Sequence, residues 1–296
     1  KLKATETPTS DKLMQQTKFL SVDELVTMVP DDCNLAIIKD DSSAPSEAVR
    51  ALIRRGVKGL HLLTVPTGGY PSDLLIGADC VASVETSGVS LAEFGPAPRF
   101  GKAVKSGKIV IRDATCPAVY AALQAGEKGL PFIPLRGVLG SDVAKNRDDW
   151  KVIDNPFAKD GDSDPVLLLA AIRPDVALIH AEKADRFGNV WVGREKEMAT
   201  VAHAAHCTLV TVEEIVDEDL MASTTTAAGT LSNMYVDAIA QAKNGAWPVG
   251  LGDLYGRDGA HLQLYAAAAR DDDAFEDYLQ QFVMTAPVAY KIKATA

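Results

Sequence analysis

Short apolar runs alternate with stretches of helical period over most of the chain. LAIIK (35–39), LHLLTV (60–65), CVASVE (80–85) and KIVIRD (108–113) read as buried strands. DVALIHAEKA (175–184) and CTLVTVEEIV (207–216) read the same way and bracket a helical EKEMATVAHAAH (195–206). Ser21, with Glu24 three residues on, opens LSVDELVTMV as a capping box. SEAVRALIRRG has helical spacing and stops at Gly56; PAVYAALQAGEKG starts at Pro117, a favoured first helical position, and ends near Gly129. Prolines make PFIPLRG extended, and WKVIDNPFAKDGDSDPV (150–166) is the loop-richest stretch. Two more helical patterns are expected near 236–243 and 273–282. Strands alternating with helices predict an α/β fold: an open, largely parallel central sheet flanked by helices. No repeat, heptad or linker divides it, so residues 21–296 are expected to form a single domain behind a polar tail at 1–20.

Composition narrows the class. The net charge of −10 argues against nucleic acid or an anionic membrane as the main partner. No apolar run reaches the roughly 18 residues that span a bilayer, and the polar N-terminal stretch lacks the apolar core of a secretory signal. Cys33, Cys80, Cys116 and Cys207 are scattered without C-x-x-C spacing, which fits reduced thiols in a cytoplasm rather than disulfides or a zinc site.

Candidate chemistry begins at LLTVPTGGYPSDLLIG (62–77), where Gly68 and Gly69 follow a strand. The pair is either a tight turn whose glycines supply positive φ or a backbone that a ligand can approach closely. No Lys-Ser or Lys-Thr follows, and the spacing is not G-x-G-x-x-G, so neither phosphate-loop motif applies. His203 and His206 lie about one helical turn apart; without a convergent third ligand they make no metal site, and none is expected. Cys116 precedes Pro117 at a helix start, where a thiolate is favoured, although packing or capping is its ordinary role. Ser87 and Ser90 lie in no G-x-S-x-G elbow, so a hydrolase triad has no support.

One segment is more specific. KVIDNPFAKDGDSDPVLLLAAIRPDVALIHAEKADRFGNVWVG (151–193) closely resembles the A (α) subunit of family I CoA-transferases, the glutaconate CoA-transferase type. IDNPF in a loop and PDVALIHAEKAD leading into a turn at Gly188 and Asn189 carry the resemblance. SDLLIG after the Gly-Gly turn, SGV after the third strand, GLPFIPLRGVLGSD, CTLVTVEEIV and VDAI follow in the family's order, from about residue 21 to 283.

The resemblance implies an open α/β fold of the NagB/RpiA-like kind and a B subunit of similar fold, in a hetero-oligomer with the active site between the subunits. It implies that B carries the glutamate that attacks the acyl-CoA thioester, that CoA passes to a second, small carboxylic acid, and that CoA is a substrate rather than a tightly bound cofactor. The Gly68–Gly69 turn then corresponds to a glycine-rich loop lining the acyl or CoA pocket. TSG (86–88) corresponds to the family's NSG, making Ser87 and Gly88 expected pocket residues, with a hydroxyl bonded to its own turn as the alternative for Ser87. Glu85 stands at a strand end in E-x-x-G, where the B-subunit nucleophile has E-x-G; a solvated or backbone-bonded carboxylate is the usual case there.

Two departures qualify this. Where the family has a GGF-like turn, the chain has Asp40, Asp41, Ser42 and Ser43, whose carboxylates would repel CoA phosphates, or which cap the helix starting near Pro45. Related hydrolases carry an acid after the fourth strand, where this chain has Thr115 and Cys116, with Asp113 two residues early. A thioester or ring-opening hydrolase, and a non-catalytic homologue, are the alternatives to a transferase subunit.

Overall fold

A computed structural model of the chain describes residues 17–38, 42–159 and 161–285. Its strands are β1 Lys18–Leu20, β2 Asn34–Ile38, β3 Leu60–Val65, β4 Val81–Thr86, β5 Val110–Asp113, β6 Phe132–Leu135, β7 Lys151–Asp154, β8 Pro165–Ala170, β9 Val176–Asp185, β10 Val190–Trp191, β11 Cys207–Val216, β12 Thr230–Leu231 and β13 Ala238–Gln241. Its α-helices are α1 Val22–Val26, α2 Ser46–Arg55, α3 Tyr70–Gly77, α4 Pro98–Lys105, α5 Cys116–Glu127, α6 Asp142–Lys145, α7 Lys196–Ala204, α8 Thr224–Ala227, α9 Gly259–Ala268 and α10 Asp272–Leu279.

The main sheet has the order β1-β13-β11-β9-β2-β3-β4-β5, and every neighbouring pair along that path is parallel. The predicted parallel α/β architecture is therefore the one observed. Two-residue β10 pairs antiparallel with β9 and β12 off this path. From β2 the chain builds outward to β5, and from β9 it builds the other way to β13. The order reverses between β2 and β9, and ligands of open α/β sheets bind beyond the C-terminal strand ends near such a reversal.

Both faces of the sheet are buried, which is why its strands read as nearly continuous apolar runs. On one face Leu35, Ile37, Leu60 and Leu62 pack with Leu52 of α2, Leu74 of α3, Tyr265 of α9 and Phe275 of α10. On the other, Ala36, Leu63, Ile179 and Val210 pack with Val119 and Leu123 of α5 and Val201 of α7. A small antiparallel sheet, β6-β8-β7, lays Leu167 and Leu169 on Ala118, Ala121 and Ala122 of α5. Among the described residues no helix is long and apolar enough to cross a membrane.

Three readings of the pattern change. Residues 236–243, expected as helix, contain strand β13; there the alanine-rich run is paired between β1 and β11. The stretch expected to be loop at 150–166 holds β7 and the start of β8. Lys18–Leu20, assigned to the polar tail, is an edge strand beside β13. The capping box is as expected: the Ser21 side chain accepts from the Glu24 N–H, and Glu24 accepts from the Ser21 N–H at 2.9 Å.

Candidate functional site

The loops after β3, β4 and β5 meet at the C-terminal edge of the sheet. The Gly68 N–H donates to the Gly88 carbonyl at 2.9 Å, and the Ser90 N–H donates to the Gly68 carbonyl at 2.9 Å, zipping the first loop to the second. Beneath them Thr64 Oγ1 donates to Thr86 Oγ1 at 2.6 Å, and Thr86 Oγ1 donates to the Gly88 carbonyl at 2.7 Å. The Ser87 hydroxyl donates to the Pro66 carbonyl at 2.8 Å and lies 3.2 Å from Cys116 Sγ, which brings in the loop after β5. The structure thus gathers Gly68, Gly69, Ser87, Gly88 and Cys116 in one place, and it gives the Ser87 proton to the fold, leaving the oxygen as an acceptor.

The glycines differ in what requires them. A Cβ at Gly68 would lie 2.8 Å from Ser72 Oγ and 2.9 Å from Thr64 Cγ2, so close packing of α3 on β3 demands glycine there. The expected positive φ of this pair is absent: Gly69 has φ −124° and Gly68 is not in the left-handed region. Gly88 has φ +154°, and a Cβ there would meet open space. That backbone is exposed to whatever enters the site.

Both helices that start at this edge begin uncapped. Neither Gly69 before α3 nor Thr115 before α5 makes a side-chain cap hydrogen bond, and each helix carries proline within its first two positions. Thr115 Oγ1 is buried there without a partner. The first turn of α5 lies beside Ser87, since Cys116 is its first residue, an arrangement suited to negative charge on a ligand or a developing oxyanion, whereas the first turn of α3 is buried at Tyr70, Ser72 and Asp73. Cys116 is exposed, whereas burial pushes the Cys33 and Cys80 thiols up to about 11.

Glu85 is committed elsewhere. Its carboxylate accepts from Arg147 NH2 at 2.8 Å on the α5 side of the sheet, level with Leu63 and Arg112 on the neighbouring strands. Arg147 is 7% exposed and also donates to both Asp149 oxygens, at 2.8 and 2.7 Å, and to the Asp113 carbonyl at 3.1 Å, with its guanidinium 4.4 Å from the Trp150 ring. Burial opposes the Arg147 charge, but Asp149 and Glu85 outweigh it and raise its pKa. A cavity of about 170 Å³ lies beside this cluster, lined by Glu85, Arg112, Arg147, Asp149 and Trp150. The sequence gives no hint of the Arg147–Glu85 pair, because the two residues are 62 apart.

Glu182 is a second residue that the pattern of the chain does not single out. It is a half-buried carboxylate near the end of β9, close to Gly252, and burial with the neighbouring Asp253 raises its pKa. A glutamate inside the apolar run DVALIHAEKA is the signal that could have found it. Nearby, Glu213 accepts from Tyr255 at 2.5 Å and from the Asn244 and Gly245 N–H groups at 2.6 and 3.0 Å, and lies 3.0 Å from His180 Nε2. Glu213 fixes the loop after β13.

Asp40 and Asp41 lie outside the described residues. Ser42 and Ser43 do not cap α2, which starts after Pro45 with no side-chain cap; Ser43 N–H donates to the Gly250 carbonyl at 2.8 Å. The His203 ring packs against Tyr235 with centroids 3.8 Å apart and planes tilted by 35°, and among the described residues no group of three or more His, Cys, Asp or Glu side chains is arranged to hold a metal. Asp185 accepts from Phe187 N–H, Asn189 N–H, Asn189 Nδ2 and Leu220 N–H at 2.8–3.0 Å, so the AD…GN segment organises a turn.

A family model described as Coenzyme A transferase matches residues 22–242. The A-type subunit of the 3-oxoadipate CoA-transferase from Pseudomonas knackmussii is 34% identical over 81% of this chain and 83% of its own length. A cholesterol ring-cleaving hydrolase IpdA subunit of Rhodococcus jostii is also 34% identical, over 81% of each chain. The chain spans about half, 51%, of a 33% identical uncharacterized protein from Archaeoglobus fulgidus, which matches 78% of this chain. Among solved structures, glutaconate coenzyme A-transferase from Acidaminococcus fermentans superposes with a TM-score of 0.81 at 27% identity, over 90% of this chain and 89% of that one.

Proposed function

Since the chain belongs to the coenzyme A transferase family, we propose that it is the A-type partner in a two-subunit CoA-transferase that moves CoA from an acyl-CoA thioester to a small carboxylic acid. The observation that carries this reading is the junction of loops at the sheet edge, where the uncapped start of α5 and the open Gly88 backbone adjoin Ser87 while the nearest strand-end carboxylate, Glu85, is held by Arg147.

In this reading Gly68, Gly69, Ser87 and Gly88 line the acyl pocket. The first-turn N–H groups of α5 stabilise the oxyanion formed when a carboxylate attacks the thioester carbonyl. The attacking glutamate comes from the B subunit. Its carboxylate attacks the thioester to form an acyl anhydride and releases CoA thiolate. The thiolate attacks the glutamyl carbonyl, breaking the anhydride and expelling the donor acid as a carboxylate. The acceptor carboxylate then displaces CoA thiolate from the enzyme thioester, and thiolate attack on the acceptor's acyl carbonyl yields the new acyl-CoA and frees the glutamate. CoA is a substrate, the working form is a hetero-oligomer, the described residues from 17 to 285 form one domain that includes β1, and the enzyme acts in the cytoplasm.

The test is an assay of the purified chain with acyl-CoA donors and short-chain acids, alone and with a B-type subunit of the same source. Transfer only in the pair is expected; transfer by the single chain, abolished by Glu85→Ala, would make Glu85 the nucleophile and overturn this reading. The hydrolase relative supplies a second reading, in which water replaces the acceptor. Release of free CoA at equal rates with and without an acceptor acid would favour it.

A further inference from the structure

The helices that follow β2, β3 and β4 all pack on one face of the sheet, through Leu52 of α2, Leu74 of α3 and Ala103 of α4. On the other face Val119 and Leu123 of α5 pack with Leu63 of β3, and beyond them the strands present polar side chains. Register sets His61 beside Ser83 and Ser83 beside Val110 in one row, then Leu63 beside Glu85 and Glu85 beside Arg112 in the next. The same face of β2, β9 and β11 carries Ala36, Ile179 and Val210. Parallel sheets are ordinarily buried on both faces, so a polar patch across three strands departs from that rule.

Over these rows lies a cleft of about 380 Å³, a size suited to a small molecule. Its wall is Ile172, Arg173 and Pro174 of the crossover between β8 and β9, and it reaches Asn34, the first residue of β2. It shares Glu85, Arg112 and Ile172 with the 170 Å³ cavity beside Arg147, so the two volumes adjoin. The wall is fixed. The Ile172 N–H donates to the Ala122 carbonyl at 3.0 Å, and a Cβ at Gly126 would collide with the Ile172 carbonyl, so glycine lets α5 lie against the crossover. Ser87, Gly88 and Cys116 line neither volume, which sets the cleft apart from the junction at the C-terminal strand ends.

The charges lining the two volumes sum to positive, in a chain of net charge −10. Arg112, Arg173 and Arg147 meet Glu85 and Asp149, and Arg147 already bonds both of those carboxylates. Among the described residues Arg112 makes no hydrogen bond or ion pair, and its charge acts on Asp149 only at a distance. Arg173 uses Nη2 alone, on the Leu130 carbonyl at 3.3 Å. Two guanidiniums with most of their donors unused match a carboxylate or a phosphate, which accept paired N–H groups. His61 Nδ1 lies 2.8 Å from Ser83 Oγ, leaving Nε2 for a ligand. Asn34 gives its backbone N–H and Nδ2 to Asp175 at 2.8 and 3.0 Å, which leaves Oδ1 as an acceptor.

We propose that this cleft is a second ligand site, which takes a small organic molecule by an oxyanion, a carboxylate or a phosphate monoester, held by Arg112 and Arg173, while Asn34 and His61 bond the remainder. The site stands whether or not the chain transfers CoA.

The experiment is a calorimetric titration of the full chain with inorganic phosphate, with succinate and, as an uncharged control, with acetamide. Saturable binding of phosphate or succinate but not of acetamide is expected, and the anion that binds tells a phosphate monoester from a carboxylate. The His61 ring signal in the proton–nitrogen NMR spectrum, assigned by its loss in His61→Gln, should move with the binding curve. Arg112→Gln and Arg173→Gln should each weaken binding about 10-fold, as for a lost hydrogen bond between charged groups. Lys105→Gln, which removes an exposed cation from α4 across the sheet, should leave binding unchanged. Absence of saturable binding of either anion to the wild-type chain would overturn the assignment, and so would undiminished binding in a double Arg112→Gln, Arg173→Gln variant with a native melting curve. An equal loss in Lys105→Gln would reduce the effect to net charge and overturn it too. Competitive displacement of the bound anion by CoA would give the cleft to the transferase substrate and end its standing as a second site.

Discussion

Replacing Arg147 tests whether Glu85 is structural or chemical. Arg147→Met removes the buried cation between half-buried Glu85 and the more exposed Asp149. Breaking a buried pair by deleting one partner costs about 3–5 kcal/mol. With an unfolding entropy near 2.1 cal/mol/K per residue over 296 residues, that lowers the melting temperature by roughly 5–8 °C. Glu85→Gln is the milder change. Its amide oxygen still accepts from Arg147, and Asp149 still neutralises the guanidinium, so the loss is about 1 kcal/mol. Thermal melts of the isolated chain and turnover of the assembled pair should be read on both variants. A structural Glu85 predicts a marked drop in stability for Arg147→Met, and near-normal turnover at saturating partner for Glu85→Gln. A melting temperature for Arg147→Met within 2 °C of wild type, on the scale of about 2 °C per kcal/mol, would refute the energetic assignment. Turnover abolished in Glu85→Gln at unchanged stability would refute the structural one.

Ser87→Ala removes one partly exposed hydrogen bond to the Pro66 carbonyl, worth roughly 0.5–1.5 kcal/mol of stability. If the oxygen also accepts from substrate, turnover of the pair falls about 5- to 150-fold, for a lost 1–3 kcal/mol in the transition state; lost stability with an unaltered rate would make Ser87 purely a turn residue. Buried Asp73 and His261 pull the acid stability in opposite directions. Burial raises the Asp73 carboxyl to about 6, so the folded state holds a proton the unfolded state has lost, and this group adds stability as pH falls from 6 towards 4. Burial lowers His261 to about 4, so the unfolded state takes up a proton first, and stability is lost as pH falls from 6.5 towards 4. Asp73→Asn should therefore steepen the loss of stability between pH 6 and 4 and His261→Phe should flatten it, as read from urea midpoints at each pH; parallel profiles for all three proteins would contradict the assignment.

Local signals are legible in the sequence where they act within a few residues. Ser21 with Glu24, Pro117 and Gly129, and the apolar runs of β2, β3, β9 and β11 all sit where the pattern puts them. β13 escapes that pattern because a short alanine-rich run suits either period, and only its neighbours β1 and β11 decide for strand. β7 and β8 are short and separated by a loop rich in Pro, Gly and Asp, and β8 is set by α5 beneath it. At the site, the loops carrying Gly68 and Ser87 stand out in the sequence, but the reason for Gly68 does not: Ser72 and Thr64 crowd it from inside, a contact invisible in one dimension. Arg147 illustrates the same limit. Asp149 and Trp150, two and three residues on, also hold it, but only folding brings Glu85 and the end of β5 to it.

The edge strand β1 has a consequence for the order in which the molecule is made. Its register partner is β13, and the bond from Thr17 Oγ1 to the Val236 carbonyl closes a separation of 219 residues. At 5–20 residues per second, a ribosome needs roughly 10–45 s to supply that partner after β1 has been synthesised. β2 through β5 are consecutive and pair with one another, so they can assemble during that interval. Closing so long a loop carries its entropic cost before any contact offsets it. Among the described residues, the strand made earliest is thus the last to be seated, and its docking reports completion of the sheet.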